Sequence, residues 1–251
     1  MEVVDPGKNP PVLSARHCRS FRRESRIERE EVCALVRSCC ESLRSRLKLP
    51  IETLASGEKW PEVSFDPVRR CHLFSFPFGS DPAPEIESLF LCHALLAERV
   101  HPLFSCVLAE GPDALPEKVF ERQIWPVLSC TRTWFAQALW VKHCPSQART
   151  AIQSRFSCLL EKAAGGFAEE DLAGMLEIAL VSATRIRFCG ASGLPEGKMK
   201  EFVMAFLSVG PEKPHLSSLT RLNALLLRAT SSFSVKPEYH PGFCTEIWRI
   251  A

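Results

Sequence analysis

Apolar residues recur three and four positions apart through most of this chain, and Gly or Pro separates the segments they mark. The pattern is densest from Glu117 to Ala164, which holds Trp125, Trp134 and Trp140, three of the five tryptophans. Val119, Phe120, Ile124, Val127 and Leu128 define one helical face, with Pro126 placed to kink or split it. Trp134, Phe135, Ala138, Leu139 and Val141 define the next. Pro145 then breaks the chain, and Ile152, Phe156, Leu159, Leu160 and Ala163 form a third stripe. Aromatics at this density need cover on both sides, so the stretch is expected to form the middle layer of a helical stack.

On either side the same period continues. Ser25 and Glu28 have capping-box spacing, and Val32, Leu35, Val36, Cys39, Leu43 and Leu47 follow as one buried face ending before Pro50. Pro84 suits a first helical turn, with Glu85 and Glu87 at its positive end. Ile86, Leu89, Phe90, His93, Leu96 and Val100 form its stripe, which Leu103, Phe104, Val107 and Leu108 carry on to Gly111-Pro112. Further helices are read at Leu172–Leu180, Met199–Leu207 and Leu216–Ala229. Residues 57–82 differ: Trp60-Pro61, Asp66-Pro67 and Pro77 oppose a helix, so an irregular or short-stranded segment is expected there. The tail from Val235 has no assignable period. About nine helices with short connections predict an all-α fold of stacked helix pairs, either a HEAT/armadillo-like solenoid or a compact multi-helix domain. Residues 1–24 read as a flexible basic arm and 25–251 as a single α-helical domain.

Composition agrees with a globular chain: of 251 residues, 46% are hydrophobic and 24% charged. No apolar run approaches the roughly 20 residues that span a bilayer, so no membrane association is expected. The first residues lack the basic start and apolar core of a secretory signal. Nuclear or cytoplasmic residence is therefore expected, with the 12 cysteines as reduced thiols. Net charge is only +2, but Ser14–Lys48 has ten Lys or Arg against five Asp or Glu, a local +5 that leaves −3 on the rest. Arg16, Arg19, Arg22, Arg23 and Arg26 concentrate that charge; they could serve nucleic acid, although a solvated arm explains them more simply.

Motifs that would carry chemistry are scarce. His17-Cys18, Cys71-His72, Cys92-His93 and His143-Cys144 are adjacent pairs, whereas zinc sites use ligands a few residues apart on one turn. Neither a metal nor another cofactor is expected. Gly190-Ala191-Ser192-Gly193 lacks nucleophile-elbow spacing, and no phosphate-binding glycine loop occurs. A cysteine- or metal-dependent enzyme remains the alternative from another class. Phe202, Phe206 and Leu216 flank a Gly-Pro-rich connection; such residues anchor protein partners when exposed and fill the interior when not.

Four segments, in order, resemble the C-terminal helical domain of the Fanconi anaemia group E family. Leu47-Lys48-Leu49-Pro50 is similar to its L-x-L-P helix end, and Ser88-Leu89-Phe90-Leu91 to its S-L-F-L helix start. Phe120 to Val127 resembles its F…Y-P-V segment with Trp125 in place of tyrosine. The turn Gly210–His215 and the helix from Leu216 resemble its final repeat. The likeness spans roughly residues 45–230 and departs near 130–150, where about one helical pair is missing, and in the tail. It implies a nuclear, non-enzymatic adaptor in crosslink repair that bridges a multisubunit ubiquitin ligase to its substrate, with Leu216 near the partner-binding turn. The expected function is thus a protein-interaction adaptor or scaffold whose partners are other proteins of a multisubunit complex.

Overall fold

The computed structural model describes residues 37–57, 61–79, 83–105, 109–112, 115–164 and 171–251. Residues 37–44 are helical and bury Cys40 and Leu43. The chain then extends into β1 (Ile51–Ser56), followed by β2 (Glu62–Asp66) and β3 (Cys71–Pro77). The sheet order is β1-β3-β2, with β1 parallel and β2 antiparallel to β3. Asp66 Oδ1 accepts the backbone N–H of Val68 and Arg69, each at 2.9 Å, and Arg70 takes a left-handed φ of 52° to close the β2–β3 turn. Along β3, His72, Phe74 and Phe76 are buried and Leu73, Ser75 and Pro77 less so, the two-residue alternation of a half-covered sheet, with Cys71 buried as well at its start.

That inward face packs on α1 (Pro84–Arg99), where Phe90 meets Phe74 edge-on at 5.4 Å and stacks with Phe76 at 5.6 Å. A short 3-10 turn (Pro102–Phe104) and the two-residue β4 (Ala109–Glu110) follow. A helical turn at Glu117–Val119 and a π-helical turn at Phe120–Ile124 lead into α2 (Trp125–His143). Pro126 sits in the first turn of α2, so its missing N–H costs nothing there, and the π-turn before it absorbs the register change. α3 (Pro145–Ala164), α4 (Leu172–Cys189), α5 (Gly197–Leu207) and α6 (Leu216–Thr230) complete the helices. Asp171 Oδ1 caps α4 by accepting the Gly174 N–H at 3.0 Å, and Gly190 ends it with φ +68°. β5 (Val235–His240) and β6 (Thr245–Ile250) form a hairpin, and β4 adds parallel to β6 in the order β4-β6-β5.

Two mixed three-stranded sheets overturn the all-α expectation: 59% of the described residues are helical and 16% are in strands. Nor do the helices form a HEAT/armadillo-like solenoid of stacked pairs; they gather around one central member. α2 packs against α1, α3, α4 and α6. Trp134 and Phe135, fully buried on it, join one continuous core that runs from Leu43 to Ile250. The short-stranded reading of residues 57–82 is met by β2 and β3, but β1 begins earlier. Of the helical stripe drawn through Leu103, Phe104, Val107 and Leu108, the first two lie in the 3-10 turn and the last two lie outside the described residues. In the tail, Trp248 is buried under the second sheet.

Candidate functional site

Four buried polar arrangements radiate from α2 and its neighbours. Thr131 donates to Asn223 Oδ1 on α6 at 2.5 Å, and Thr184 on α4 donates to Gln137 Oε1 at 2.6 Å. Trp134 Nε1 donates to the Val209 carbonyl after α5 at 2.9 Å. Arg132, buried, reaches the carbonyls of Val63 in β2 and Ser105 after the 3-10 turn. Each bond ties α2 to a different element and satisfies a group that would be costly to bury alone.

Beside Arg132, His93 Nδ1 donates to the Phe104 carbonyl at 2.8 Å, and Thr133 Oγ1 lies 3.5 Å from Nε2. Burial, then the Arg132 charge, lowers the His93 imidazole to about 3, so it stays neutral. A second buried pair joins β3 to α1. His72 Nε2 is 3.1 Å from Glu98 Oε1, and the Glu98 carboxylate also accepts the N–H groups of Lys48 and Leu49 at 2.8 and 2.9 Å. Burial holds His72 below its ordinary value despite the carboxylate beside it. Burial pushes Glu98 upward, but those two backbone donors and His72 outweigh it and leave the carboxyl below the usual range. The combination is a neutral imidazole donating to a carboxylate that pins the turn between residues 44 and β1.

The third cluster lies where α2 meets α3. Cys39 and Cys144 are joined by a disulfide with Cα atoms 6.4 Å apart, within the usual span. This corrects the expectation that all the cysteines are free thiols. Sequence spacing carried no signal for the bond, because its partners are 105 positions apart. Arg46 Nη1 is 3.0 Å from His143 Nδ1, and Lys142 and Arg99 add positive charge nearby. Burial, followed by Arg46, Lys142 and Arg99, lowers His143.

Among the free described cysteines, burial raises Cys40, Cys71, Cys92, Cys130 and Cys189; Cys130 reaches about 12. Thiols shifted in that direction are poor nucleophiles at neutral pH. Of the adjacent Cys/His pairs, Cys71-His72 and Cys92-His93 lie inside the core, and His143-Cys144 is at the disulfide. His17-Cys18 lies outside the described residues, among which no group of three or more ligating side chains could hold a metal.

Phe202 and Phe206, read from sequence as possible partner anchors, are fully buried. Phe206 packs on Trp134 with centroids 5.7 Å apart, and Lys198 Nζ lies over the Phe202 ring at 5.9 Å. Leu216, at the start of α6, is half-buried. Burial of both aromatics on α5 follows from α4 and α6 packing on it and from Trp134 meeting Phe206, which local spacing could not reveal. The arginines of the arm, Arg16, Arg19, Arg22, Arg23 and Arg26, lie outside the described residues.

Exposed large apolar side chains occur on helices, as at Trp125, Leu160, Met204 and Leu225, and also at the first sheet. Leu54 is 41% exposed on β1 and Phe78, just past β3, is 72% exposed. Thr53 and Ala55, which pair with the core-facing Phe74 and Phe76, are exposed as well, so among the described residues the helical layer stops short of β1. β1 ends its sheet, with β3 as its neighbour on one side. No helix among the described residues is long and apolar enough to cross a membrane. The chain matches no protein-family model, no curated protein and no solved structure.

Proposed function

We propose that this chain is a non-enzymatic adaptor that binds other proteins of a multisubunit complex, in the nucleus or cytoplasm. The resemblance to the Fanconi anaemia group E helical domain favours the nucleus and DNA repair within that reading. The observation that carries it is the β1 edge: among the described residues, it is an open row of backbone donors and acceptors beside Leu54 and Phe78, beyond the cover of the described helices. Such an edge accepts an extended segment of a partner protein as an added strand, with apolar side chains alternating onto the exposed Thr53 and Ala55 face. The buried histidines and raised thiols support a structural rather than catalytic use of those groups.

The test is affinity purification of tagged wild-type chain beside a Thr53→Pro variant and a Leu54→Lys/Phe78→Ser variant. The proline removes a backbone donor and the second variant removes the apolar flank. A specific partner recovered by the wild type and lost from both folded variants is the expected result. Equal recovery by all three would move the binding surface elsewhere. A wild-type chain that stays alone, with one thiol titrating well below about 8.5, would overturn the adaptor reading in favour of thiol chemistry.

A further inference from the structure

We propose that the Cys39–Cys144 disulfide is a reducible clasp that holds the helical stretch 37–44 onto the α2–α3 corner. Reduction by a small-molecule thiol opens it.

The bond's two ends differ in access. Cys39 is half-buried against the edge of the core, whereas Cys144 is 4% exposed. An incoming thiolate therefore attacks the Cys39 sulfur. A new sulfur–sulfur bond forms there, the Cys39–Cys144 bond breaks, and its electron pair leaves with the Cys144 sulfur. A second thiolate attacks the mixed disulfide, releases Cys39 as thiolate and carries away the oxidised small-molecule disulfide.

The Cys144 sulfur is released among the side chains of the core, and the Cys39 sulfur is left nearer the surface. The free thiols Cys92 and Cys130 are raised by burial.

Among the described residues, the clasp adds to a short set of contacts that hold residues 37–46. These are buried Cys40 and Leu43, Cys40 Sγ against Ser88 Oγ at 3.1 Å and the Pro84 carbonyl at 3.5 Å, the exposed Arg44–Glu87 pair at 2.5 Å and the Arg46–His143 contact. Exposed ion pairs add little. With the covalent tie cut, this stretch opens more often than the helices behind it. Cys40, covered in the closed form, then reaches solvent. In a reducing compartment disulfides are transient, which makes this a state the protein enters and leaves.

The experiment uses the full chain purified without reductant, read by peptide mass spectrometry after alkylation and by amide exchange. Before reduction, Cys39 and Cys144 are expected to resist iodoacetamide and to appear as one linked peptide. After dithiothreitol both should alkylate ahead of Cys92 and Cys130, with Cys40 following. Amides 37–46 should then exchange about tenfold faster, while those of α4 hold their rate. Cys144→Ser should show the fast exchange without reductant. Free Cys39 and Cys144 in the oxidised protein would overturn the proposal. So would reduction that leaves both the exchange of 37–46 and the alkylation of Cys40 unchanged.

Discussion

His93 is the clearest case of a side chain whose chemistry is decided by burial. Neutral in the fold and protonated in the unfolded chain below about 6.5, it has a folded value below its unfolded one. Its contribution is therefore complete above about 6.5 and is lost as pH falls toward 3, by up to about 1.4 kcal/mol per pH unit. His72, also lowered by burial, acts in the same direction. Denaturant unfolding followed from pH 7 to pH 4 is expected to show falling stability, with a shallower slope in His93→Gln. An unchanged slope would mean that the imidazole is charged or solvated in the fold. The buried hydroxyl–amide pair of Thr131 and Asn223 offers a second check. Thr131→Val leaves the Asn223 amide without its donor and is expected to cost about 1–3 kcal/mol, whereas Thr131→Val/Asn223→Leu recovers part of that loss. Equilibrium unfolding of both variants measures the difference.

Among the elements, the C-terminal hairpin shows how a segment without helical period is still built into the core. Val235, Ile247, Trp248 and Ile250 are buried, and β4 adds its two residues to β6 at Trp248 and Arg249. Arg249 bridges Glu110 on β4 at 3.0 Å and Glu238 on β5 at 3.3 Å, tying the three strands across the sheet. Trp248→Ala is expected to cost about 3–5 kcal/mol, the range for truncating a large aromatic in a core. Thermal unfolding checks it, and a loss under about 1 kcal/mol would mean that the hairpin is only loosely attached. α3 behaves differently. Its outer face is exposed, Ala148, Ile152 and Leu159 are buried, and Leu160 is 48% exposed. It covers α2 without being part of the centre, so the third stripe of the tryptophan-rich stretch belongs to the periphery.

The molecule as a whole is organised by contact with α2 rather than by repetition along the chain. α1 and the first sheet lie toward one side of it, α4 and α6 toward others, and Trp134 reaches past α5 to the Val209 carbonyl. A helix whose apolar residues surround it on nearly all sides is buried all round. Trp134→Ala should therefore weaken distant parts together: amide protection in α4, α5 and α6 is expected to fall in parallel, with an overall loss of about 3–5 kcal/mol. Protection lost in α5 alone would show that the helices unfold as separate units.

Much of this arrangement was legible locally. Pro84 and Pro145 mark helix boundaries where they were read, because prolines act within a turn or two of the chain. The central place of Trp134 followed from aromatic density, since so much apolar area has to be covered. The strands were harder to read. β1 and the hairpin are short, and their alternation becomes a sheet only once β3 and β6 lie beside them, through hydrogen bonds between distant residues. Burial of Phe202 and Phe206 depended on α4, α6 and Trp134, and the Cys39–Cys144 bond on two segments meeting at a corner. Local pattern determined most helices and their centre. Only the tertiary structure decided which faces stayed open, which groups lost their charge and which cysteines met, because each depends on what lies across space.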